Sequence, residues 1–96
     1  MKIDHVAINV ESIAESVEWY VKNFSARVSY SDETWAMLEV GDFKIALTVR
    51  DQHPPHLAFK VETFDDESNV KTHRDGTKYI YKTDPDGNTI ELINYD

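Results

Sequence analysis

The sequence predicts an α+β fold built from two βαβββ modules, of which the second is shortened. Two internal matches indicate this duplication. Residues 5–13 align with residues 56–64 at a constant offset of 51, with His, Ala, Val and Glu identical. Residues 44–47 align with residues 89–92 at an offset of 45. Because the first match also keeps the apolar alternation of a strand, the two halves of the chain are expected to fold alike.

The first module begins with the best-defined strand and helix of the chain. Residues 3–10 alternate between a larger apolar face and a small or polar face, as in a half-buried strand. Ser12 and Glu15 form a capping box ahead of apolar residues at helical spacing, which predicts a helix over residues 12–24. Three more strands are predicted over residues 26–30, 35–40 and 43–50, with turns at Asp32-Glu33 and Gly41-Asp42.

The second module starts after Pro54-Pro55, because neither proline can continue a strand ladder or a helix interior. The fall in offset from 51 to 45 makes it six residues shorter between its first and last strands. Residues 65–73 hold too few apolar side chains for a buried helix, so a short or irregular one is expected. Strands are predicted from His56 and over residues 78–83 and 89–95, with turns at Asp75-Gly76 and residues 84–88.

Length and charge narrow the classes of function. The chain is long enough for one domain and no more, with module one at about residues 1–50 and module two at about residues 54–96. Its formal charge of -8 disfavours nucleic acid and anionic membrane surfaces as partners. Without cysteine there is no disulfide, thiol nucleophile or Cys-ligated metal. No apolar run resembles a membrane span or signal peptide, so a cytoplasmic protein is expected.

The repeat predicts that three potential metal ligands share one face of the sheet. The larger apolar residues of the first strand of each module pack toward the helix side, so His5 and His56 point to the opposite face. The same alternation puts Glu91 and its counterpart Ala46 there. Two imidazoles and one carboxylate are a set that binds a divalent metal and leaves positions open for substrate. Taken singly, each is more simply a surface or hydrogen-bonded residue; only the repeat favours a joint site.

Four segments carry motifs of a known family. They are residues 3–10, the helix end at residues 19–24, residues 56–59, and the Asp-Pro-Asp-Gly-Asn turn leading into Ile90-Glu91-Leu92. Together they resemble the vicinal oxygen chelate superfamily, which includes glyoxalase I, bleomycin resistance proteins and extradiol dioxygenases. The resemblance implies a curved, half-barrel-like mixed sheet around a cleft. It also implies that His5, His56 and Glu91 bind a divalent metal such as iron, manganese, nickel or zinc.

Two residues depart from the glyoxalase I pattern. Ala46 lies where glyoxalase I-like members carry a fourth ligand, so three ligands resemble the dioxygenase arrangement instead. Asn9 lies where glyoxalase I carries a glutathione-binding Arg, which disfavours glutathione-linked chemistry. Asn9 and Lys60 are our candidates for substrate contacts, although a solvated Lys60 is the simpler interpretation.

The resemblance leaves two functions open. The first is a metal-dependent lyase, isomerase or dioxygenase that acts on a small substrate with two adjacent oxygens. The alternative is a metal-free protein of the bleomycin-resistance type that sequesters a small aromatic or cationic compound, which the acidic charge would suit. In either case we expect a homodimer, because the shortened module leaves apolar sheet surface that one chain cannot cover.

Several other residues have competing interpretations. Glu39 is more simply a partner in a salt bridge than a distant ligand. His73, in the shortened segment, is expected to be exposed to solvent. An apolar substrate wall and ordinary core packing explain three side chains equally well: Trp35, Met37 and Tyr81.

Overall fold

The computed structural model describes residues 2–49, 53–65, 67–73 and 75–95. Its class is α+β, as predicted, with one α-helix and eight strands among those residues. In chain order the elements are β1 Lys2–Val10, α1 Ile13–Phe24, β2 Arg27–Ser31, β3 Trp35–Val40, β4 Phe43–Val49, β5 His56–Lys60, a 3₁₀ turn at Glu67–Asn69, β6 Lys71–Thr72, β7 Lys78–Thr83 and β8 Thr89–Asn94. In these same ranges no helix is long and apolar enough to cross a bilayer.

The chain divides into two compact units. The first unit is His5–Pro55, and the second unit is His56–Asp96 together with Met1–Asp4. The end of the first unit falls at the Pro54-Pro55 break from which the sequence predicts a second module.

The first unit is a four-stranded mixed sheet packed against α1. Its strand order is β2-β3-β4-β1, with β1 parallel to β4 and the other pairs antiparallel. Ser12 caps α1 by accepting a hydrogen bond from the Glu15 N–H at 3.2 Å, which confirms the predicted helix start. The buried core consists of Ile13, Ala26, Ala36, Leu38 and Leu47. The face of β1 that was predicted to pack toward the helix side therefore does so, through Ile8 and Val10.

The second unit repeats the four-stranded sheet. Its strand order is β5-β8-β7-β6, with β5 parallel to β8 and the other pairs antiparallel. Where α1 lies in the first unit, the described residues between β5 and β6 contain a three-residue 3₁₀ turn and no α-helix, which confirms the expectation of a short or irregular helix. Leu57 remains 39% exposed as a result, on the face that α1 covers in the first unit.

Strand register confirms the internal duplication. In the first unit Ala46 of β4 lies between Ala7 of β1 and Met37 of β3. In the second unit Glu91 of β8 lies in the same way between Ala58 and Tyr81. Ala7 and Ala58 differ by the offset of 51 inferred from the sequence, and Ala46 and Glu91 differ by the offset of 45. Ala46 and Glu91 are therefore structurally equivalent.

Differences from the predicted elements are confined to ends and to one short strand. β2 is shifted by one residue relative to the predicted 26–30, and β8 ends one residue earlier than predicted. Arg50, the predicted end of the fourth strand, lies outside the described residues. The two-residue strand β6 was not predicted, because two residues are too few to show an alternation.

Candidate metal centre

The second unit brings two of the three predicted ligands together. His56 begins β5 and Glu91 lies in the middle of the adjacent strand β8. Their side chains are only 5% and 2% exposed, and His56 Nε2 lies 3.4 Å from Glu91 Oε1. An ionised carboxylate buried to this extent requires charged or hydrogen-bonding partners. The prediction that these two residues share a face of the sheet is therefore confirmed.

A tight turn fixes the strand that carries Glu91. Asp84 Oδ1 accepts hydrogen bonds from the backbone N–H groups of Asp86 at 2.9 Å and Asn88 at 2.8 Å. Gly87 has φ +89°, a left-handed conformation that glycine adopts at little cost. These bonds hold the pKa of Asp84 below its usual value, with the Asn88 side chain as the largest cause. The turn thus sets the β7–β8 register that puts Glu91 opposite Tyr81.

His73 contacts Glu91, and the expectation that it is exposed to solvent is wrong. Its Nε2 lies 2.9 Å from Glu91 Oε2, and its side chain is only 27% exposed. The imidazole also stacks on the ring of Tyr79, with centroids 3.6 Å apart and planes 8° from parallel. Glu91 therefore has one imidazole at each carboxylate oxygen, His56 at Oε1 and His73 at Oε2.

A hairpin turn after His73 positions its side chain next to Glu91. The His73 N–H donates to the Thr77 carbonyl at 2.8 Å, and the Gly76 N–H donates to the His73 carbonyl at 3.0 Å. Asp75 Oδ1 accepts from the Thr77 backbone at 2.9 Å and from its hydroxyl at 2.6 Å, and these bonds lower the Asp75 pKa. The signal was present in the sequence: a turn at Asp75-Gly76 places His73 on the same face of the hairpin as Tyr79.

Two tyrosines adjoin the pair formed by His56 and Glu91. The Tyr81 ring meets the His56 ring edge to face at 5.5 Å, and it meets the Tyr79 ring at 5.3 Å. Burial, followed by the nearby charge of Glu91, raises the pKa of Tyr81 well above its usual value. Tyr81 therefore has a neutral phenol, and its ring contacts the ring of His56.

The first unit carries four more of the residues singled out from the sequence: His5, Ala46, Asn9 and Glu39. His5 lies on β1 and is 6% exposed, so it is a buried histidine. Ala46 is also buried, on β4. The Asn9 side chain accepts a hydrogen bond from the Thr48 hydroxyl at 2.8 Å. Glu39 forms a 2.8 Å salt bridge with Arg27, which confirms the simpler of its two interpretations.

Lys60, the other predicted substrate contact, is an exposed residue at the end of β5. Its ammonium group lies 5.3 Å from the centroid of the Tyr95 ring, a cation–π distance. This contact agrees with the simpler interpretation of Lys60 as a solvated lysine.

The donor set and its spacing fit a divalent transition metal. Two donors bound to one ion at about 2.1 Å are roughly 3.0–3.4 Å apart at octahedral or tetrahedral angles. The 3.4 Å between His56 Nε2 and Glu91 Oε1 falls in that range, and it is longer than a normal N–H···O hydrogen bond. Imidazole nitrogen and carboxylate oxygen suit zinc, iron, manganese or nickel. His56 and Glu91 could therefore hold one ion between them.

Comparison with known proteins identifies the relatives of this chain. Metallothiol transferase FosB of Staphylococcus haemolyticus is 30% identical over 112 residues, covering 94% of this chain and 81% of FosB. The match is longer than the 96 residues of this chain, so FosB has residues within it that this chain lacks.

Solved structures show the same fold at low sequence identity. Methylmalonyl-CoA epimerase of Streptomyces coelicolor superposes with a TM-score of 0.78 at 17% identity, covering 98% of this chain and 96% of the epimerase. The Mn(II)-bound glyoxalase of Novosphingobium aromaticivorans gives a TM-score of 0.74 at 17% identity, covering 97% of this chain and 37% of that protein. These similarities confirm the predicted fold. A family model matches residues 2–69, and the chain therefore belongs to the glyoxalase/bleomycin resistance protein/dioxygenase superfamily.

Proposed function

We propose that this protein is a metal-dependent enzyme that acts on a small substrate bearing two adjacent oxygens. The observation that carries the proposal is the buried pair of His56 and Glu91, with Nε2 and Oε1 3.4 Å apart. A sequestering protein without metal has no need to bury a carboxylate between imidazoles, because burial of the charge is costly.

His5 is proposed as the third ligand. It occupies in β1 the position that His56 occupies in β5, and it is a buried polar side chain in the same way. His5, His56 and Glu91 are residues of the types that could hold a metal ion together. The names of two relatives support a metal: one is a metallothiol transferase and the other a Mn(II)-bound glyoxalase. Iron, manganese, nickel and zinc all suit this donor set.

The ligands also favour a class of substrate. Two neutral imidazoles and one carboxylate leave a divalent ion with a net positive charge, which attracts an anionic chelating group. When bound, the ion would supply Lewis acidity toward the two adjacent oxygens of the substrate. Ala46, equivalent to Glu91 in the repeat, offers no fourth ligand, so an additional position stays open for substrate. Asn9 and Lys60 remain the proposed contacts for the rest of the substrate.

Metal content and affinity test the proposal. Elemental analysis of the purified protein, followed by calorimetric titration with Mn(II), Fe(II), Ni(II) and Zn(II), should give about one ion per chain. The variants His5→Ala, His56→Ala and Glu91→Ala should each weaken binding severely, because each removes a ligand. His53→Ala is the matched control, since His53 is an exposed histidine three residues before His56.

The same experiment distinguishes the metal-dependent enzyme from the metal-free sequestering protein. If no ion binds at micromolar concentration, or if the His5→Ala, His56→Ala double variant binds as well as the unmodified protein, the metal-dependent proposal is wrong. A metal-free sequestering protein then becomes the better interpretation, and its charge of -8 directs a ligand screen toward cationic compounds.

A homodimer is the proposed assembly. The face of the second-unit sheet opposite Glu91 carries apolar residues, and no α-helix of that unit covers it within the described residues. Leu57 on this face is 39% exposed, and four apolar neighbours are only partly buried: Phe59, Ile80, Ile90 and Leu92. A symmetric second copy is the commonest way to cover such a surface.

A further inference from the structure

We propose that His73 is a positioning residue of the metal centre, which holds the carboxylate of Glu91 in place through its Oε2 atom. The inference rests on the proposed function, since it assigns a role beside the proposed ligands. No position of the first unit aligns with His73, because it lies in the segment that differs in length between the two modules.

The two imidazoles meet Glu91 at different distances. His73 Nε2 lies 2.9 Å from Oε2, the usual length of an N–H···O hydrogen bond. His56 Nε2 lies 3.4 Å from Oε1, beyond that range and matching the spacing of two ligands on one ion. Oε2 of the carboxylate therefore lies at hydrogen-bonding distance from His73, and Oε1 faces His56 at the distance of two ligands on one ion.

The partner determines which proton His73 carries. As the ionised ligand proposed above, Glu91 would only accept hydrogen bonds, and Nε2 of His73 would then be the donor in this contact. A nitrogen that carries a proton has no lone pair to give to a metal. His73 in this arrangement thus acts through Glu91 and does not itself coordinate the ion. Outer hydrogen bonds of this kind orient a ligand and raise metal affinity.

His73 is itself fixed from two sides. The flat stack on Tyr79, at 3.6 Å and 8°, defines the plane of the imidazole. The backbone hydrogen bond from His73 to Thr77, at 2.8 Å, closes the hairpin that holds its main chain. Asp75 accepts two bonds from Thr77 and stiffens the same turn. A restrained donor orients a carboxylate better than a mobile one, because less entropy is lost when the bond forms.

Two substitutions at position 73 separate the hydrogen bond from the packing. His73→Phe keeps a flat ring to stack on Tyr79 but removes the donor. His73→Gln loses the ring but keeps an N–H group that can reach Oε2. His53→Phe, at an exposed histidine, is the control for loss of an imidazole elsewhere.

The first readout is metal affinity, measured with Zn(II) or Mn(II) by competition with a chelator of known affinity. We expect His73→Phe to weaken binding by roughly 10–100-fold and His73→Gln to recover most of that loss. Equal affinity of His73→Phe and the unmodified protein overturns the inference and leaves the three-ligand proposal standing. Failure of the unmodified protein to bind metal overturns both.

The second readout is the number of imidazoles on the ion, from X-ray absorption of the Zn(II)-loaded protein. A positioning role requires the same number in the unmodified protein and in His73→Phe. One imidazole fewer in His73→Phe shows that His73 is a ligand and overturns the inference. The third readout needs no metal: ¹⁵N NMR of the metal-free protein should show His73 protonated at Nε2, and a bare Nε2 overturns the inference.

Discussion

The two units form the same four-stranded sheet from equivalent rows of residues, yet the side chains that they bury differ in polarity. In the first unit the row Ala7, Ala46 and Met37 is apolar, and the hydrophobic cluster lies on the other face of that sheet under α1. In the second unit the equivalent row contains Glu91 and Tyr81. Among the described residues, its buried polar side chains are His56, Thr77, Glu91 and Asn94, whereas those of the first unit are His5 and Thr48.

This difference indicates that the two copies of the repeat have different roles: the first contributes more apolar burial, and the second carries most of the candidate site residues. Apolar burial under a helix is the larger source of stability, because it removes much apolar surface from water. In the second unit, turns and polar contacts stabilise the fold in place of packing under a helix. For example, the Asn94 side chain donates hydrogen bonds to the carbonyls of Val61 at 2.8 Å and Glu62 at 3.0 Å. The unit with the less apolar interior is also the one that carries His56, Glu91 and His73.

The largest expected effect is on the free energy of unfolding, when a leucine on the corresponding sheet face of each unit is replaced by alanine. Leu38 is fully buried under α1, so Leu38→Ala should lower the free energy of unfolding by about 2–5 kcal/mol. Leu57 is 39% exposed within one chain, so Leu57→Ala should cost the monomer less than about 1 kcal/mol, measured at protein concentrations too low for a dimer to form. Urea unfolding followed by circular dichroism measures both. Similar costs for the two variants would contradict these different roles.

Ala46→Glu tests whether the two units are equivalent at the site. It places in β4 the carboxylate that β8 carries at Glu91, and so offers the proposed centre a fourth ligand. We expect metal to bind about 10-fold tighter or more, and the metal-free variant to be less stable because the new carboxylate is buried. Ala46→Gln is the matched control, since it has nearly the same volume without the charge. Unchanged metal affinity in a folded Ala46→Glu variant would refute the equivalence.

The uncovered sheet face of the second unit should determine the oligomeric state. Sedimentation velocity at micromolar concentration is expected to show a dimer. Leu57→Lys should shift it toward monomer, because a charge cannot be buried cheaply in an apolar interface. Phe43→Lys is the control, at a residue of the first unit that is similarly exposed (41%). A monomer for the unmodified protein refutes the dimer.

The smallest effect concerns a turn that both units share. Asp32 and Asp75 each accept from the backbone and the hydroxyl of the threonine two residues later, Thr34 and Thr77. In Asp32 a side-chain bond from Tyr30 is the largest cause of the lowered pKa, and in Asp75 it is the hydroxyl of Thr77.

The sign of the pH effect follows from these lowered values. Each carboxylate stabilises the fold above its unfolded pKa of about 4, and this contribution is lost as pH falls through the folded pKa. Asp75→Asn should therefore lower the melting temperature slightly at pH 7, with a difference that shrinks as the pH falls below about 4. Melting curves across this range check it, with Asp86→Asn as a control. A difference independent of pH would show that charge is not involved.

The sequence alone was sufficient wherever a residue had a counterpart in the repeat or a strong local signal. The capping box gave the start of α1, and the two offsets gave the register that aligns Ala46 with Glu91. Alternation then placed His56 and Glu91 on one face, since side chains of a strand point alternately to its two sides. The short, irregular second helix was predictable too, because a segment with so few apolar residues cannot offset the entropy lost on ordering a longer one.

Tertiary structure decided the role of residues outside the repeat. His73 has no counterpart in the first unit, and β6 has only two residues, so neither the duplication nor periodicity constrained its direction. The Asp75-Gly76 turn indicated that His73 shares a face with Tyr79, but it did not indicate the contact with Glu91. Its contact with Glu91 depends on the hairpin closed by Gly76 and Thr77 and on the stack with Tyr79. These are contacts between side chains brought together by a turn, and their geometry is set by the folded backbone instead of by spacing along the chain.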